Sequence, residues 1–145
     1  MKLELPDIAA MQALGQRIAG KLRPGDVVAL SGGLGTGKTT LSRAILLALG
    51  HEGEVPSPTF TIIETYDHLD PPVVHADFYR IEHPGEVEQI GLDDYREGAA
   101  LLAEWPDRAG GFANEAGCLQ IALEIAGEGR LAVVEAGADW QGRWP

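Results

Sequence analysis

Cysteine is nearly missing from this chain: Cys118 stands alone among 145 residues. One thiol excludes a disulfide framework, a C-x-x-C pair and a cysteine zinc cluster. Positive charge is also short. Eleven Lys and Arg against 22 Asp and Glu leave a net charge of −11. The arginines are scattered, so no basic patch offsets the repulsion of bare nucleic acid. Any nucleic-acid role is expected to run through a partner. No apolar run approaches the ~18 residues of a membrane span. Met1-Lys2-Leu3-Glu4-Leu5 has no signal-peptide pattern, so a cytoplasmic protein without membrane contact is expected. The four histidines (His51, His68, His75, His83) show no H-x-x-x-H spacing, and solvated or capping roles are expected for each. Internal repeats and low-complexity tracts are absent. A chain of this length still buries roughly two-thirds of its unfolded surface, enough for one domain with a core.

What is present is Gly32-Gly33-Leu34-Gly35-Thr36-Gly37-Lys38-Thr39, which matches G-x-x-x-x-G-K-[ST]. That is the phosphate-binding loop of P-loop NTPases. Glycines let successive backbone N–H groups turn inward around a phosphate chain. The predicted loop contacts are Gly33, Leu34, Gly35, Thr36 and Gly37, then Lys38, Thr39 and Thr40 at the helix start. Lys38 would reach the β- and γ-phosphates, and the Thr39 hydroxyl would ligate Mg²⁺. Lys38 is the only lysine after Lys21, so lysine falls where this chemistry asks for it. The flanks agree. Val27-Val28-Ala29-Leu30 reads as a buried strand. Leu41, Ala44, Ile45, Ala48 and Leu49 recur at helical spacing, and Gly50 sits at the glycine-cap position. GTPases read guanine with N-K-x-D. Asn114 is the only asparagine and precedes Glu115, so ATP is expected rather than GTP.

The remaining pattern predicts an α/β fold: a P-loop NTPase-like sheet, mainly parallel with antiparallel hairpins, flanked by helices. Lys2–Leu5 reads as a short strand. Asp7 is a good N-cap for a helix with Ile8, Met11, Leu14, Ile18 and Leu22 as its apolar stripe. Pro56 and Pro58 hold Ser57-Pro58-Thr59-Phe60-Thr61 extended. GTPases place a mobile loop there whose Thr senses the γ-phosphate, and the alternative is an ordinary loop feeding a strand over Phe60–Tyr66. A hairpin follows, with Pro71-Pro72 in its turn. Two apolar strands end in an acid, Val73–Asp77 and Ala99–Glu104. Either would place a carboxylate at a strand's C-terminal edge beside the phosphates. Short helices are expected around Glu86–Ile90 and Asp93–Arg96. A hairpin of Leu119–Ile125 and Arg130–Ala136 is expected to close one sheet edge. Residues 1–136 form one domain in this reading and 137–145 a loose tail, in which Trp140 and Trp144 either cap the core or meet a partner.

Four blocks occur in order: the G-x-L-G-x-G-K-T-T loop at Gly32–Thr40, Ser-Pro-Thr-Phe at 57–60, His75-x-Asp77-x-Tyr79-Arg80, and Glu104-Trp105-Pro106-x-Arg108. Together they resemble the TsaE (YjeE) family over nearly the whole chain. The resemblance implies a bacterial P-loop ATPase that works with TsaB and TsaD. That system makes N6-threonylcarbamoyladenosine at position 37 of tRNAs reading ANN codons, so tRNA is met only through the complex. It implies Lys38 and Thr39 at the phosphates and Mg²⁺, Thr59 in a mobile loop, and Asp77 and Glu104 as functional acids. Glu104 is assigned to Mg²⁺ and Asp77 to positioning water or the metal shell. It also implies base contacts near Asp7 and Arg130. The second acid of the family's E-W-x-E block is here Asp107, one methylene shorter. Two other functions fit a small P-loop protein: a small-molecule kinase, and a non-catalytic assembly factor gated by nucleotide. A kinase calls for an arginine-bearing lid, and no lid-sized insert is visible.

Overall fold

A computed structural model describes residues 1–56 and 62–144. Among the described residues, seven strands form one sheet: β1 (Lys2–Leu5), β2 (Val27–Ser31), β3 (Ile63–Tyr66), β4 (Val73–Asp77), β5 (Ala100–Glu104), β6 (Cys118–Ala126) and β7 (Gly129–Ala136). Their order is β1-β7-β6-β2-β5-β4-β3. The centre, β6-β2-β5-β4, is parallel, and the outer pairs are antiparallel. The central strands are apolar on both faces, as parallel strands covered on both sides require. This is the predicted fold class.

On one face lie α1 (Ile8–Ala19) and α2 (Lys38–Ala48). They pack over Val28, Leu30, Leu102 and Ile121 through Leu14, Ile18, Leu41 and Ile45. The two helices approach closely at Gly15, where a Cβ would sit 2.5 Å from that of Ala44. The opposite face is covered by shorter segments, including α3 (Glu86–Gln89) and α4 (Leu92–Arg96). There Phe78, Ile81, Leu92 and Phe112 meet Val27, Ala29, Val74 and Leu101. No helix among the described residues is long and apolar enough to cross a membrane.

Local signals in the sequence act as expected at several ends. The Asp7 side chain accepts from the Ala10 N–H at 2.8 Å and caps α1. Gly50 takes φ +104° just past α2, the left-handed geometry that ends a helix without a Cβ clash.

Three expectations give way. Ile8 is 62% exposed rather than part of the buried stripe, and Leu22 is buried beyond the end of α1. The β6–β7 hairpin does not close the sheet, because β1 pairs outside β7 and is itself the edge. Residues 137–144 are not a loose tail, and of the two expected roles for Trp140 the core-capping one holds. Trp140 is fully buried and donates to Gly117 O at 2.8 Å. Arg143 forms a two-pronged pair with Asp26 at 2.8 and 2.7 Å. Short polar runs after a strand read as loose, but one tryptophan supplies enough apolar area to anchor them.

Candidate functional site

The glycine loop joins β2 to α2. Gly32 has φ +134°, and a Cβ there would lie 2.4 Å from Leu123 O and 2.8 Å from Thr36 Oγ1. Only glycine fits. Gly35 and Gly37 take φ +75° and +105°, with Thr36 between them outside the positive region. Alternation of hand along the backbone is how successive N–H groups form an anion-binding concavity. Thr36 Oγ1 donates to Gly33 O at 2.9 Å and braces the turn. α2 then begins at Lys38, so its first unpaired N–H groups face the loop.

Lys38 is buried. Its ammonium donates to Gly32 O at 2.9 Å and Gly33 O at 2.7 Å. It also stands 4.6 Å from the centroid of the Trp105 ring. Burial pushes its pKa below the usual lysine value, and the nearby Glu104 and Asp77 carboxylates partly oppose that.

The two acidic strand ends are neighbours rather than alternatives. Asp77 and Glu104 are register partners on adjacent parallel strands. Glu104 Oε1 accepts from Thr39 Oγ1 at 3.0 Å. Its other oxygen, Oε2, lies 2.6 Å from His75 Nε2. Asp77 Oδ1 accepts from the Tyr79 N–H at 2.9 Å. The strand sequence thus brings lysine, threonine and two carboxylates to one mouth at the C-terminal edge of the sheet, the usual ligand position in open α/β sheets.

A cleft of about 640 Å³ runs from this mouth outward, within the size range of small-molecule sites. Lys38, Thr39, Thr40, Asp77 and Glu104 line it, together with Leu34, Gly35 and Gly37 of the loop. The α1 cap Asp7, with Ile8 and Met11 of α1, and Glu128, Gly129 and Arg130 from the β6–β7 turn and the start of β7 also line it. Arg130 donates to Gly35 O at 3.0 Å and Gly129 O at 2.8 Å, tying that turn to the loop. Asp7 and Arg130 therefore share the cleft with Lys38. Gly33 and Thr36 shape the loop but do not line the cleft. Thr59 lies outside the described residues. Asp107 is exposed on the 3₁₀ turn Pro106–Ala109, away from the cleft wall.

Two participants were missed in the sequence. His75 is fully buried against Glu104, not solvated or capping. Its position two residues before Asp77 on a strand places both on one face, a legible signal. Trp105 takes φ +54°, uncommon for a bulky residue and not readable from composition. That backbone turn lays its ring by Lys38 and 4.9 Å from the Tyr79 ring. Arg108 lies 5.1 Å over Tyr79.

The family model described as threonylcarbamoyl adenosine biosynthesis protein TsaE matches residues 5–132. A Haemophilus influenzae protein named tRNA threonylcarbamoyladenosine biosynthesis protein TsaE is 37% identical over 121 residues, 79% of this chain and 77% of that one. A Streptomyces coelicolor protein of the same name is 45% identical over 98 residues, 66% of each. The crystal structure of Bacillus subtilis YdiB superposes with TM-score 0.80 at 29% identity, covering 99% of this chain and 90% of that one. With the family match spanning most of the sheet and the whole cleft, the chain belongs to the TsaE family.

Proposed function

We propose that this chain binds and hydrolyses Mg²⁺-ATP as a component of the system that makes N6-threonylcarbamoyladenosine at position 37 of tRNAs reading ANN codons. TsaD and TsaB are its proposed partners. The family match and the names of the relatives support the pathway. The cleft supports the nucleotide.

One observation carries the reading: the Thr39 hydroxyl is bonded to the Glu104 carboxylate at 3.0 Å, beside the buried Lys38 ammonium. No group of three metal-ligating side chains occurs among the described residues. A hydroxyl and a carboxylate are hard oxygen donors. Such a sparse set fits Mg²⁺, which keeps several waters and takes its other ligands from phosphates. Thr39 and Glu104 would hold the ion. When bound, Mg²⁺ neutralises phosphate charge.

The chain's own residues supply the rest. The loop amides and the start of α2 bind the phosphate chain. Lys38 adds a charge in a water-poor setting, where it is worth more than in bulk water. Asp77, next to Glu104 in register, positions water. Arg130 and Asp7, which also line the cleft, contact the base. With no N-K-x-D motif in the sequence, adenine is assigned.

The test is phosphate release and nucleotide affinity in Glu104→Ala and Asp77→Ala, each over a Mg²⁺ titration. Glu104→Ala is expected to slow hydrolysis by about 10²–10³-fold while nucleotide affinity changes little. Wild-type Mg²⁺ dependence in both variants would overturn the assignment.

A further inference from the structure

Of the four histidines, His75 is the buried one, with no exposed surface. It stands in the middle of β4, on the face of the sheet that carries Asp77 and Glu104. Its Nε2 lies 2.6 Å from Glu104 Oε2, while Thr39 Oγ1 donates to Oε1 at 3.0 Å. The carboxylate is therefore gripped at both oxygens. One donor comes from the first turn of α2 and the other from a neighbouring strand.

Nε2 is the ring nitrogen that faces Glu104, and as an N–H it donates to the carboxylate oxygen. The other ring nitrogen, Nδ1, is buried and has no hydrogen-bond partner among the described residues. An imidazole that served only as filler would leave a buried polar atom unmatched where an apolar side chain would do. A donor aimed at Glu104 gives that position its reason. Glu104 is a long side chain at a strand end. Held by Thr39 alone, its carboxylate could pivot about Oε1. Held also at Oε2, it has one orientation.

We infer that His75 is a positioning residue for the divalent-cation site, acting through Glu104 and touching neither ion nor nucleotide itself. The inference rests on the proposed function, since it takes Glu104 as a cation ligand. Hydrogen bonds to ligating carboxylates commonly tune metal affinity by about 10–100-fold. The effect belongs on cation affinity, because His75 does not line the cleft where the nucleotide would lie.

The experiment uses the full chain with His75→Asn and His75→Gln. The asparagine amide stands where Nδ1 is and stops short of Glu104. The glutamine amide reaches the position of Nε2 and keeps the donor. Mn²⁺ affinity of the ADP-bound protein is read from the paramagnetic resonance signal of free Mn²⁺. ADP affinity without metal and the thermal unfolding midpoint are measured beside it. His75→Asn is expected to weaken Mn²⁺ by tenfold or more, with metal-free ADP affinity within twofold of wild type. His75→Gln is expected within threefold of wild type for Mn²⁺. Wild-type Mn²⁺ affinity in His75→Asn would overturn the inference. So would equal losses in both variants, which would mark His75 as a packing residue. Wild-type protein that binds ADP but takes up no Mn²⁺ would instead overturn the cation site itself, and the inference with it.

Discussion

Arg143→Ala tests whether the last residues belong to the domain. The guanidinium makes two bonds to the Asp26 carboxylate, at 2.8 and 2.7 Å, and also donates to Lys21 O and to Asp139 O. It lies 4.1 Å over the Trp140 ring. Asp26 is only 3% exposed and would keep a single bond, from the Arg23 N–H at 2.8 Å. Removing one partner of a buried pair strands the other charge and costs about 3–5 kcal/mol. A domain of this size has a total stability of roughly 7–20 kcal/mol, so the loss is large. With a urea dependence of about 2 kcal/mol per molar, the midpoint should fall by about 1.5–2.5 M. Equilibrium urea unfolding followed by circular dichroism reads this directly. A double-mutant cycle with Asp26→Ala should show that the two losses do not add, because both remove one interaction. A midpoint within 0.3 M of wild type, given a precision of about that order, would refute the packed C-terminal segment.

Three further outcomes follow from the same geometry. Lys38→Ala should keep the fold by circular dichroism and lose ATP hydrolysis by at least about 10²-fold, since a charge in a water-poor phosphate site is worth several tenfold factors; unchanged ATP affinity and turnover would contradict its role. Isolated tRNA should bind negligibly at physiological salt in a filter assay, because a net charge of −11 neutralises few phosphates; tight, salt-sensitive binding would contradict this. Burial pushes the Cys118 thiol up to about 11, so at pH 8 about one molecule in a thousand carries the reactive thiolate, and iodoacetamide should modify it only after unfolding. The folded state holds that proton more tightly, so the thiol's contribution to stability is full below an unfolded pKa of about 8.5 and is lost as pH rises toward 11. Stoichiometric alkylation of folded protein within minutes would refute the burial.

The elements legible in the sequence were those with a local cause. The glycine loop, the Asp7 cap, the Gly50 stop and the period-two strands announce themselves because backbone sterics and side-chain spacing act within a few residues. The acids at 77 and 104 were legible as strand ends. Their adjacency was not, because it depends on β4 and β5 pairing in register. For the same reason β1 was not legible as the sheet edge, nor His75 as the second grip on Glu104. Trp105 was hidden differently: its ring reaches Lys38 only because its own backbone turns to φ +54°. Arg143 finds Asp26 across 117 positions of chain, a contact no local pattern encodes. Thr59, predicted to sense the γ-phosphate, lies outside the described residues, so that expectation stays with the sequence argument.

The proposed hydrolysis of Mg²⁺-ATP is expected to be slow in the lone chain and to be controlled by the proposed partners. Arg43 donates to Val55 O at 3.3 Å, and Arg108 rests on Tyr79 and Trp105; neither lines the cleft. A transition-state charge supplied by a docking partner would be worth about 10³–10⁵ in rate, as in related NTPases, and docking would also position the site. The direct measurement is steady-state phosphate release from Mg²⁺-ATP by the protein alone and then with TsaB and TsaD added, with no acceptor present. Slow release that the pair accelerates at least tenfold is expected, with the acceleration absent in Lys38→Ala. Fast release by the lone protein that the pair leaves unchanged, or no release in either case, would contradict it.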